Sequence, residues 1–186
     1  SALPGYALFY NGPKCGASAP DHMHFQAGRQ EDFPIVGSWL KTLKEIAWEG
    51  VRTRLYALMI HSPATFILVS DYKAEIMEVF TLLYDHLIVK PGDYEPMMNV
   101  LTWEEGDFWI TCVFPRRELR PSCYYAEGDD NILISPATVE MSGLFVVPLE
   151  KDFRKVTYAD LEKVWREVSI TEAEKNEIIR KIREKV

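Results

Sequence analysis

Cysteine is scarce in this chain: three in 186 residues, at Cys15, Cys112 and Cys123. That number and scatter exclude a disulfide framework, and the lack of any CxxC pair excludes a zinc ribbon. Long apolar runs are missing too; no stretch approaches the ~20 residues that a membrane-spanning helix needs. Nor is there an excess of positive charge. Lys and Arg number 21 against 28 Asp and Glu, a formal charge of −7, and that balance repels the phosphate backbone of nucleic acid. It leaves room for a local basic pocket holding a small anion. No secretory leader is visible, because Pro4, Gly5, Gly12 and Pro13 fall where its apolar segment would lie. The expectation is a cytoplasmic protein with neither membrane nor nucleic acid as partner. A hydrophobic share of 47% fits one folded domain, or two small ones sharing a core. The chain opens on Ser1 and its first methionine is Met23, so native sequence is expected upstream.

Residues 6–10 read as a short, aromatic-rich strand. Residues 11–21 form a loop with two glycines and two prolines. Residues 22–27, His-Met-His-Phe-Gln-Ala, alternate polar and apolar, the period of a strand. Trp39, Leu40, Leu43 and Ala47 predict a short helix over 37–48. Strands follow at 51–60 and 65–69 around a turn at His61–Ala64. The clearest helix spans 72–90, with Asp71 as N-cap, apolar residues at three- and four-residue steps, and Pro91-Gly92 as the stop. Residues 98–103 and 107–114 read as a hairpin. A loop, basic and then acidic, covers 115–131, with further strands at 131–136 and 143–148. Thr157 caps a helix through about 167, and Ser169 with Glu172 opens a last helix to Val186. The sum is α+β: an antiparallel sheet with helices packed on it.

Two of the four histidines stand two apart, at His22 and His24. On a strand, 22, 24 and 26 share one side, and Met23 and Phe25 the other, the side expected to enter the core. His22, His24 and Gln26 then form a row, each pair ~7 Å apart at ~3.3 Å per residue. Just upstream, Gly16 and Ser18 offer backbone and hydroxyl to an anion. Three chemistries suit the row. The histidines can be hydrogen-bonded residues of a sheet face. They can share a divalent metal such as a structural zinc, which demands a third donor; Cys15 is the nearby candidate. Or a neutral imidazole can attack phosphorus while an amide side chain donates to a phosphoryl oxygen.

The stretch Asn11-Gly12 … Gly16-Ala17-Ser18-Ala19-Pro20-Asp21-His22-Met23-His24-Phe25-Gln26 resembles the signature of the histidine-triad superfamily. More narrowly, it resembles the branch of galactose-1-phosphate uridylyltransferase, diadenosine tetraphosphate phosphorylase and GDP-galactose phosphorylase. In that branch Gln replaces the third histidine. One departure is the Asp21 between Pro20 and His22. The resemblance implies a histidine-triad-like twisted antiparallel sheet, His24 as the nucleophile of a covalent nucleotidyl-histidine, and Gln26 on the α-phosphoryl oxygens. It further implies His22 as a support, and Asn11 and Ser18 on phosphate or leaving group.

Lys14 is a candidate phosphate ligand, as are Arg116 and Arg117 in the basic cluster that also holds Arg120. Each has a competing surface or salt-bridge reading. His61, His86 and Cys112 read as structural, and no tryptophan is singled out. The reading taken is a single domain, 1–186, with a motif-bearing half at 1–92 and a second α+β half at 93–186, forming the C-terminal part of a longer chain if upstream sequence exists. Its expected activity is that of a nucleotidyltransferase or phosphorylase on a nucleotide sugar or dinucleoside polyphosphate. The alternatives are a non-catalytic nucleotide-binding module, and a metal-binding protein using His22 and His24. No cofactor is required by the first reading, and an oligomer is compatible with it.

Overall fold

The computed structural model describes residues 3–59 and 63–185. Seven strands form one antiparallel sheet in the order β2-β1-β6-β7-β5-β4-β3. They are β1 (Tyr6–Asn11), β2 (Phe25–Arg29), β3 (Lys44–Glu49), β4 (Thr53–Leu58), β5 (Phe66–Ser70), β6 (Met98–Glu105) and β7 (Phe108–Pro115). The sequence's two-residue alternation sorts side chains onto two faces. Tyr10, Met98, Val113, Phe66, Leu68 and Leu55 occupy one face. Helices α2 (Lys73–Tyr84) and α7 (Glu172–Glu184) cover it, through Ile76, Val79 and Leu83 and through Ile178, Ile179 and Ile182. Ala7, Phe9, Leu101, Trp103, Ile110, Cys112, Phe114 and Ile67 occupy the other. They meet Phe33 and Trp39 around α1 (Pro34–Ser38), Met141 of α4 (Thr138–Met141) and Val168 of α6 (Tyr158–Val168). Short helices α3 (Ser122–Tyr125) and α5 (Glu150–Lys155) and 3-10 turns at Gln30–Asp32 and Gly128–Asp130 complete the described elements. No described helix is long and apolar enough to cross a membrane.

Several local expectations are corrected. Residues 44–49 are a strand, not the end of a helix, because pairing with β4 outweighs the helical spacing. Leu40 and Leu43 are exposed accordingly. Residues 131–136 and 143–148 join no sheet. Ile132 and Ile134 pack on Val164 instead, while the Ile132 and Leu133 amides donate to the Cys123 carbonyl and the Asp152 carboxylate. Asp71 pairs with Arg52 and leaves the cap position of α2 to Tyr72. The box that opens α7 is Thr171 with Glu174; Ser169 instead ends α6. Thr157 caps α6 as expected. The turn containing His61 lies outside the described residues.

The correction that bears on function is β2. The strand begins at Phe25, not at His22, and forms one edge of the sheet with β1 as its single partner. Met23 is 72% and Phe25 64% exposed. They do not enter the core; the Phe25 ring meets that of Tyr10, centroids 5.8 Å apart.

Candidate active site

The loop from β1 to β2 is tied down at its start. Gly12 N–H donates to the Met98 carbonyl at 3.1 Å, and Cys15 N–H turns back to the Gly12 carbonyl at 2.8 Å. Gly16 follows with φ +86°. A Cβ there would fall 2.7 Å from the Ala137 Cβ. Gly16 thus permits a close approach to residues 136–137. Beyond it, the His22 amide donates to the Ala19 carbonyl, and the chain delivers His24 to the start of β2.

The half-buried His24 makes the decisive contact. Its Nδ1 lies 2.8 Å from the His22 carbonyl oxygen. A carbonyl only accepts, so Nδ1 carries a proton, and in the neutral ring Nε2 is the nitrogen left with its lone pair. Ser18 Oγ stands 3.4 Å from Nε2. The His22 and His24 rings are stacked, 5.9 Å between centroids and 12° between planes. Ser18, His22 and His24 are therefore brought together at an accessible margin.

Gln26 lies one step into β2, opposite Phe9. Its Oε1 accepts from Asn11 Nδ2 at 3.1 Å. Asn11 Oδ1 in turn accepts from Asn99 Nδ2 at 2.8 Å, from the Thr138 amide at 2.9 Å and from the Thr138 hydroxyl at 2.6 Å. Asn11 is thus buried and acts on Gln26, where a direct phosphate contact was expected. Asn99 and Thr138 were not singled out from sequence. The available signal was a lone amide at a core-facing position of an apolar hairpin.

Arg116 is not a surface phosphate ligand. It is 4% exposed. All its donors are used, by Asn99 Oδ1 and the carbonyls of Pro136, Val168, Glu118 and Leu119. Desolvation lowers its pKa, and the charges of Cys15 and Glu140 oppose that shift. Arg117 is exposed beyond the end of β7, its amide bonded to Val168. Arg120 reaches Ser135 and the Tyr124 ring. Lys14 lies in the loop itself, paired with Asp93. His86 donates through Nδ1 to the Leu82 carbonyl, away from the loop.

The third metal donor does not materialise. Cys15 is fully buried, and burial pushes its thiol up to about 12. Among the described residues no group of three His, Cys, Asp or Glu side chains is placed to hold a metal ion. The donor set at His22 and His24 therefore does not fit a zinc ion.

A cleft of about 460 Å³ opens beside His22 and Met23, between the loop and residues 92–97. Asp93 and Glu95 make it acidic, and Tyr10 Oη donates to Glu95 Oε1 at 2.7 Å. Tyr94, which the sequence did not mark, stands fully exposed at its rim. Trp39 and Trp103 lie in the core.

Yeast Ap4A phosphorylase Apa2 superposes on 89% of this chain and 56% of its own, with TM-score 0.52 and 16% identity. The chain has a histidine-triad-like fold. Residues 99–186 match the family described as GDPGP1-like, C-terminal domain, and residues 1–29 match a domain of unknown function, DUF4922. The resemblance carried by Asn11 to Gln26 thus stands beside a matching fold and a matching family in the second half. A DUF4931 family protein from Bacillus cereus matches 66% of this chain and 59% of its own at TM-score 0.43 and 16% identity, too loosely to bear on the fold. No curated protein matches by sequence. The chain spans a little over half the length of these two solved proteins.

Proposed function

We propose that this chain transfers a nucleotidyl group through His24, acting on a nucleotide sugar or dinucleoside polyphosphate. The carrying observation is the His24 Nδ1 to His22 carbonyl bond, which leaves Nε2 as the free base at an accessible margin. Nε2 attacks the α-phosphorus, and the bond to the bridging oxygen breaks. That oxygen keeps the electron pair and leaves with the sugar phosphate or nucleotide. The Nδ1 proton stays in place, where the His22 carbonyl stabilises the positive charge that develops on the ring. Orthophosphate, a sugar phosphate or water then attacks the same phosphorus, the P–N bond breaks, and the neutral imidazole returns. Two displacements at a held nucleotide replace one direct reaction between two anions.

The Gln26 amide supplies a hydrogen bond to the phosphoryl oxygens, and the Ser18 hydroxyl one to the leaving group. The cleft suits the rest of the substrate: carboxylates at Asp93 and Glu95 accept from hydroxyls or base N–H groups, and the Tyr94 ring offers a stacking face. The partner is a soluble nucleotide, in keeping with a cytoplasmic setting.

Mass spectrometry after incubation with UDP-hexoses, GDP-hexoses and diadenosine tetraphosphate tests this reading. The expected result is a nucleotidyl adduct on His24, absent from His24→Ala. No adduct with any of the three classes, or full turnover by His24→Ala, overturns it. A second reading, a nucleotide-binding module without turnover, draws on the open margin at β2 and the chain's partial span of Apa2. Calorimetric binding of the same nucleotides with neither adduct nor product would favour it.

A further inference from the structure

We infer that a directed hydrogen-bond relay, Arg116–Asn99–Asn11–Gln26, fixes which end of the Gln26 amide faces the phosphoryl group. This rests on the role proposed for His24 and Gln26. The links cross the sheet one strand at a time, from the end of β7 to β6, β1 and β2. A guanidinium has donors and no acceptor. Arg116 Nη1, 2.6 Å from the Asn99 side chain, therefore demands oxygen there. That places the Asn99 nitrogen toward Asn11, and the same nitrogen lies 2.8 Å from the Cys15 carbonyl, which can only accept. Asn11 must answer with its oxygen, and the Thr138 backbone amide imposes the same choice independently at 2.9 Å. Asn11 Nδ2 is then the atom left for Gln26, and it holds Oε1. The Gln26 NH2 group points outward as a donor. Asn99 and Asn11 are positioning residues: they touch no substrate and act by denying Gln26 its flipped state, whose oxygen would repel a phosphoryl oxygen.

Asn11→Asp is the sharp test. A carboxylate keeps the bonds from Asn99 and Thr138 but presents oxygen to Gln26, which must turn its NH2 inward. Asn11→Ala only releases Gln26. If orientation is what matters, Asn11→Asp lowers kcat about a hundredfold, the scale of one lost transition-state donor. It does so with KM little changed, and Asn11→Ala loses less. If Asn11 merely packs, the isosteric Asp is the milder change, and that order overturns the relay. In a Gln26→Ala background both Asn11 variants should add nothing further; additive losses overturn the relay even where Asn11→Asp fails to fold, since Asn11→Ala gives the same cycle. Turnover is read with orthophosphate and whichever of the UDP-hexose, GDP-hexose or diadenosine tetraphosphate probes labels His24. Hydrogen exchange of the Gln26 side-chain amide by NMR needs no substrate: fast in the wild type, slowed in Asn11→Asp. Absence of turnover in the wild type with that exchange pattern intact counts against the proposed function alone. Exchange unchanged by Asn11→Asp counts against the relay alone.

Discussion

The imidazole pair and the polar cluster beneath it are built in opposite ways. His22 and His24 lie at an uncovered sheet margin, held by one another and by a backbone carbonyl. Asn11, Asn99 and Arg116 lie one to three strands inward, with Thr138 of α4 beside them, all less than a tenth exposed and with their polar atoms bonded to each other and to backbone. A buried amide or guanidinium without partners is costly, so this cluster has little freedom to rearrange. The difference teaches a division of labour. Rigidity comes from groups that no substrate touches, while the group proposed to react stays reachable.

The contrast should show first in stability. Arg116→Met strips donors from five oxygens in the interior, with an expected loss of about 3–5 kcal/mol in urea unfolding. Arg117→Met, one residue on and exposed, should stay within about 0.5 kcal/mol. Similar losses for the two would erase the distinction between cluster and surface. Gly16→Ala comes next, since it strains a positive φ and presses on Ala137. It should cost about 1–3 kcal/mol in the same measurement.

The response to pH is smaller. Asp160 and Glu174 have pKa values below the ordinary carboxylate range, Asp160 chiefly through the Thr157 hydroxyl and Glu174 through the Thr171 amide. Being depressed in the folded state, they stabilise it fully above that ordinary range and lose this as pH falls through their lowered values. Asp160→Asn and Glu174→Gln together should flatten the acid side of the stability-versus-pH curve, read from urea midpoints between pH 7 and 3; an unchanged slope would remove these two carboxylates as its source. The smallest effect is expected at the margin itself. His24→Ala should leave the urea midpoint within about 0.5 kcal/mol of wild type, and a large loss would mean that the margin carries structure after all.

Much of the sheet is legible along the chain because alternation and turn residues are local facts. The β6–β7 hairpin, the Thr157 cap and the Ile178–Ile179–Ile182 stripe follow from spacing alone. Residues 37–48 mislead because helical spacing and strand pairing compete there, and the partner strand β4 decides. At the site, His22, His24 and Gln26 stand out by pattern. Their surroundings do not: alternation predicts which residues share a side, but not whether any layer covers that side, and Met23 and Phe25 lie open for that reason.

Composition and short-range order determined that this protein folds as α+β and where its imidazoles and amide cluster along the chain. Tertiary structure alone decided that Arg116 is interior scaffolding, that Gly16 serves packing, and that Asn11 meets Asn99 and Thr138, 88 and 127 residues away. The physical reason is that a hydrogen bond's direction depends on which donor has no alternative, and the donors that settle it arrive from strands and turns that only folding brings alongside.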